Sequence, residues 1–92
     1  MLQVKFTRLA LKDLEDGHAY IYAENPPAAQ QVITRIETAL QKLQEYPYIG
    51  HKGRVDGTYE LVVQDTPYII VYAVDPERLK IVSILHTSRK FP

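Results

Sequence analysis

The sequence predicts an α+β fold: an N-terminal strand, then an antiparallel helical hairpin packed on one face of a three- to four-stranded antiparallel sheet. Three observations predict it. Apolar residues recur at helical spacing through the first half of the chain. The period then changes to strand-like runs rich in Val, Ile and Tyr. The joints between those runs are too short for anything but antiparallel hairpins.

Leu2, Val4 and Phe6 share one parity, as in a half-buried strand. Thr7 follows as a helix N-cap for the segment from Arg8 to about Glu24. Ala10, Leu14, Gly17 and Ile21 recur there at steps of four, three and four, with Tyr22 beside them. A glycine inside a helix costs about 1 kcal/mol against alanine. Gly17 therefore implies a close neighbour or a bend.

Asn25-Pro26-Pro27 ends this helix and starts another, because proline is tolerated in a first turn whose N–H groups lack helical partners. Ala29, Ile33, Ile36, Leu40 and Leu43 form the second apolar stripe, which stops near Tyr46-Pro47. Residues 48–57 read as loop. Tyr59–Val63, Tyr68–Val74 and Lys80–His86 read as strands, joined by the turn sequences Asp65-Thr66-Pro67 and Asp75-Pro76-Glu77-Arg78. Both parities of Tyr68–Val74 are apolar, which predicts a central strand covered on both faces. Ninety-two residues make one domain, 1–92, with room for one core.

Composition narrows the function. The chain has no cysteine, so thiolate metal sites, disulfides and cysteine nucleophiles drop out, and a reducing cytoplasm is the expected location. No run reaches the length of a membrane span, and the alternating start does not resemble a signal peptide. Eleven Lys and Arg balance eleven Asp and Glu, whereas a dedicated nucleic-acid binder is usually basic.

Asp13, Glu15 and Asp16 point in different helical directions and read as a solvated face. His18, His51 and His86 are the only histidines and lie on three elements, so no metal site is expected. Gly50-His51-Lys52-Gly53-Arg54 lacks phosphate-loop spacing and reads as a turn, with Lys52 and Arg54 as contact residues. A metal-free ribonuclease needs a proton acceptor, a proton donor and cations for the phosphorane. Glu60, His86, Arg54 and Arg89 are of those types, and Glu60 and His86 lie on strands of one sheet. The plainer alternative is that Glu60 pairs structurally with an arginine while His86 ends a strand.

The run Gly53-Arg54-Val55-Asp56-Gly57-Thr58-Tyr59-Glu60-Leu61-Val62, then Pro67-Tyr68-Ile69-Ile70-Val71-Tyr72, then Ile84-Leu85-His86 with Arg89 and Pro92, resembles the ParE/RelE toxin superfamily. The resemblance extends through Ala10, Asp13-Leu14, Tyr20-Ile21, Asn25-Pro26, Ala28-Ala29, Leu43 and Pro47. It implies the cytoplasmic toxin of a bacterial type II toxin–antitoxin pair, working without cofactor or metal. Two departures matter: Tyr59 stands where many relatives carry arginine, and Gly17 where an aliphatic residue is usual. With the Phe91-Pro92 tail, they favour the ParE branch, known for binding DNA gyrase, over RelE-like ribosome-dependent mRNA endonucleases. The implied partners are a cognate antitoxin, in a higher-order hetero-oligomer, and gyrase, or else the ribosome and mRNA. An acidic antitoxin segment is expected to meet Lys52, Arg54, Tyr59, Arg89 and Lys90.

Overall fold

A computed structural model of the chain, describing residues 1–87, contains β1 (Gln3–Phe6), α1 (Arg8–Glu24), α2 (Pro26–Glu45), β2 (His51–Lys52), β3 (Tyr59–Val62), β4 (Tyr68–Val74) and β5 (Arg78–His86). Local chemistry sets the helix ends where the sequence puts them. The Thr7 hydroxyl accepts from the Ala10 N–H at 3.1 Å, and Asn25 Oδ1 accepts from the Ala28 N–H at 3.2 Å. Each side chain satisfies one of the N–H groups that a first turn leaves without a helical partner. Asn25 also closes α1, its N–H bonding to the Ile21 carbonyl at 2.8 Å.

The five strands form one mixed sheet in the order β1-β5-β4-β3-β2. This corrects the expected three- or four-stranded antiparallel sheet in two ways. First, β1 pairs in parallel with β5, Val4 opposite Leu79 and Phe6 opposite Ile81. Short joints force antiparallel pairing only on β3, β4 and β5. A strand separated from its partner by the whole helical hairpin is free to run either way. Second, His51–Lys52, inside the expected loop, pairs with Glu60 and Tyr59 as a two-residue edge strand too short to leave a periodic signal.

The two helices cover one sheet face. Ala10 and Gly17 from α1, with Ala29, Ile36 and Leu43 from α2, are buried at steps of seven. They meet Tyr68, Ile70 and Tyr72 of β4 and Leu79, Ile81 and Ile84 of β5. Central β4 is covered as its two apolar parities predict, with Val71 buried on the helix-free face. Ile33 and Leu40 are only half-buried, flanking the stripe rather than forming its centre. Gly17 is explained by a close neighbour. A Cβ there would lie 3.0 Å from the Tyr68 hydroxyl, so the missing methyl lets α1 settle onto that ring.

Candidate functional site

Strand pairing decides which side chains share a face, because residues directly opposite point the same way and neighbours along a strand alternate. Tyr68 lies against α1, so its partner His86 is on the helix side, where the two rings meet edge to face at 5.2 Å. Glu60 is opposite Val71, three residues from Tyr68, and therefore faces the helix-free side. One sheet holds both residues, but it puts them on opposite faces.

Glu60 is 4% exposed and its carboxylate is occupied. Oε2 accepts the Arg54 backbone N–H at 2.9 Å and lies 3.5 Å from Arg54 Nε. The loop from residue 53 to 58 is also tied to itself. The Gly53 N–H donates to the Thr58 carbonyl at 2.8 Å, and the Thr58 hydroxyl donates to the Val55 carbonyl at 2.6 Å. Glu60 thus fixes the loop that presents Arg54, whose side chain remains about half exposed. Lys52, opposite Tyr59 in the register, is exposed as well. Of the residues singled out from sequence, Glu60 and Arg54 come together, Lys52 is opposite Tyr59 on the other face, His86 is across the sheet, and Arg89 and Lys90 lie outside the described residues.

Tyr59 is half-buried in an aromatic series, 5.5 Å from the Tyr48 ring and 5.7 Å from the Tyr72 ring. Tyr72 anchors the approach to this region, its hydroxyl accepting from the Gly50 N–H at 3.1 Å. Burial raises the Tyr72 phenol above its ordinary 10.0, opposed by that hydrogen bond. A side chain at Gly50 would meet the Tyr72 hydroxyl at 2.5 Å and the Glu60 carbonyl at 2.7 Å, so this crossing needs glycine. Tyr48, Ile49 and Val55 are exposed.

Asp13 belongs to a different feature from the one its acidic neighbours suggest. β1 covers β5 only from Arg78 to Ile81, and a register shift follows at Val71/Tyr72. Beyond it, Asp13 Oδ2 accepts from the Ile84 N–H and the Ser83 hydroxyl, each at 2.9 Å, while the Thr7 hydroxyl donates to the Val82 carbonyl at 2.7 Å. Side chains of α1 and its N-cap Thr7 take the place of the missing strand. The solvated-face reading holds for Asp16, in an exposed pair with Lys12 at 3.2 Å, and not for Asp13. A usable signal was present, since Asp13 adjoins the Ala10–Leu14–Gly17 stripe. Among the described residues, no group of three His, Asp or Glu side chains is placed to hold a metal, and no helix is long and apolar enough to cross a membrane.

The structure is thus a helical hairpin on a five-stranded mixed sheet, with a loop locked to a buried glutamate. Comparison with known proteins makes the assignment. Residues 4–91 match the family model for the ParE toxin of type II toxin–antitoxin systems, and the chain belongs to that family. It is 39% identical over 90 residues to Y4kP of Sinorhizobium fredii, covering 98% of this chain and 93% of the relative. It is also 39% identical to Toxin RelE2 of Caulobacter vibrioides, covering 97% and 99%. The fold matches a chain of the chromosomal ParDE toxin–antitoxin system of P. aeruginosa at a TM-score of 0.84, with 22% identity and 96% and 98% coverage. YoeB of Staphylococcus aureus, solved as a dimer, matches at 0.63, with 19% identity and 89% and 92% coverage. The protein is a type II toxin.

Proposed function

We propose that this toxin arrests growth by binding DNA gyrase in the cytoplasm, without bond-breaking chemistry of its own, and that a cognate antitoxin releases the block by covering the same surface. The observation that carries this reading is the state of Glu60. Its carboxylate accepts from the Arg54 backbone and faces the Arg54 guanidinium, and it sits across the sheet from His86. A general base must reach the proton it removes, within a hydrogen bond or one intervening water. A carboxylate that tethers a loop on one face serves no imidazole on the other. The exposed cations of this edge, Arg54 in the loop and Lys52 in β2, with exposed Tyr48 and Val55 nearby in the chain, suit recognition of an acidic, partly apolar protein segment.

The test is a gyrase supercoiling and DNA-cleavage assay with the purified toxin. Inhibition or trapped cleavage that disappears on adding antitoxin supports the proposal. Unchanged supercoiling and cleavage at saturating toxin rejects gyrase as the target. The second reading, a ribosome-dependent mRNA endonuclease, draws support from the relative named RelE2. It requires codon-phased transcript cuts by primer extension after induction, lost in His86→Ala.

A further inference from the structure

We infer that the helix-free face of β1 and β5 binds the phosphate backbone of duplex DNA through Lys5 and Lys80, with Arg78 beside them. The register brings these side chains together. Lys5 is the partner of Lys80 and Gln3 of Arg78, while the alternate residues Val4, Phe6, Leu79 and Ile81 pack into the core beneath the helices. Alternation therefore turns Gln3, Lys5, Arg78 and Lys80 to the opposite face. All four are exposed. The partner of Lys80 on β4 is Ala73, a methyl group too small to screen it.

Net neutrality conceals this stripe because the two signs are segregated. Asp13, Glu15, Asp16, Glu24, Glu37 and Glu45 lie on the helices. Glu60, taken up by Arg54, is the only carboxylate in the described strands. Neither Lys5 nor Lys80 has an ion pair among the described residues. Asp75, at the turn into β5, takes part of the Arg78 charge, its Oδ1 accepting the Glu77 and Arg78 N–H groups at 2.9 and 2.7 Å. Neighbouring strands run ~4.8 Å apart, and like charges on opposed residues repel. An anion seated between the two lysines removes that repulsion.

The chemistry around the lysines identifies what carries the anion. Single-stranded nucleic acid is held by aromatic rings that stack on its bases. Phe6, Tyr59, Tyr68 and Tyr72, which are all the Phe and Tyr residues of the strands, face the helices instead. A membrane surface or an amphipathic protein segment needs exposed apolar side chains among the cations. Here the neighbours of the cations are Gln3 and Ala73. Duplex DNA presents its charge without unstacking, one per ~1.7 Å of helix axis, and asks only for cations on a rigid support.

The inference rests on the gyrase reading for its setting, because an inhibitor seated on gyrase lies beside the duplex that gyrase holds, but its test uses the toxin alone. A short labelled duplex of mixed sequence is titrated with the intact chain, and anisotropy is followed from about 0.05 to about 0.2 M salt. Two or three phosphate contacts predict that log K falls with log salt at a slope between about −1.8 and about −2.7. The double variant Lys5→Gln/Lys80→Gln should bind about 100-fold more weakly at the low-salt end and reduce the slope by about 1.8. Lys12→Gln, on the exposed side of α1, should change neither. No saturable signal at low salt, tighter binding to the single strand than to the duplex, or equal weakening by Lys12→Gln would each overturn the inference. Duplex binding with supercoiling untouched removes gyrase as the target and leaves this face standing. Inhibited supercoiling without duplex binding removes this face and leaves gyrase.

Discussion

The two faces of the sheet are built from the same strands and do different work. On the helix side, Ile70, Tyr72, Leu79 and Ile81 are wholly buried, and even His86 packs against a ring. On the other side, the buried row contains Glu60, whose carboxylate is taken up by a hydrogen-bonded loop carrying the half-exposed Arg54. The difference shows how a 92-residue chain divides its sheet between a packed core and a polar, loop-bearing face. Apolar burial is concentrated where two helices can supply it, and the polar pairing on the opposite face shapes a surface. Substitutions on the helix side should therefore change folding, and those on the loop side should change partners.

The largest effect tests the covered face. Ile70→Ala leaves a cavity among fully buried neighbours and should cost about 2–5 kcal/mol in denaturant unfolding. Equal cost for Val62→Ala, on the exposed edge, would erase the contrast. Asp13→Ala should cost about 2 kcal/mol, because the Ile84 N–H and Ser83 hydroxyl lose a charged acceptor. Hydrogen exchange at Ile84 should accelerate in that variant, while Asp13→Asn, which keeps an oxygen acceptor, should recover part of the loss.

Smaller effects sharpen the same comparison. Gly17→Ala gains helix propensity but crowds the buried Tyr68 ring, so a net loss of about 1 kcal/mol is expected in thermal unfolding. Tyr72→Phe strips the Gly50 N–H of its acceptor, also at about 1 kcal/mol. The pH dependence has a defined sign. Burial raises the Tyr72 phenol above 10.0, so the fold favours the neutral form. That contribution is complete below the unfolded value and is lost as pH rises through the raised one. The parent should therefore lose more stability than Tyr72→Phe in alkali. Asp75 gives the smallest effect and the opposite sign. The Glu77 and Arg78 N–H groups lower its carboxyl from 3.8, so its contribution is present above that value and fades as pH falls further. Asp75→Asn should flatten that part of the acid limb.

Periodicity made the helices legible almost to the residue, because Thr7 and Asn25 are caps whose chemistry is local. It also identified β4 as central. It did not give the parallel pairing of β1 with β5, which depends on contacts more than seventy residues apart rather than on turn length. The candidate site was legible as residue types and not as an arrangement. Whether Glu60 and His86 share a face is fixed by register across β3, β4 and β5, and no feature of either segment alone encodes it. Asp13 was obscured by the acidic residues around it, since composition does not distinguish a carboxylate facing water from one facing a strand's N–H.

Glu60→Gln gives the most direct measurement. Glutamine retains an oxygen to accept the Arg54 N–H but has no carboxylate to take a proton. If the toxin acts by docking, cells expressing the variant without antitoxin should stop growing as they do with the parent. Full recovery of growth, with the variant folded and present at parental levels, would contradict the account.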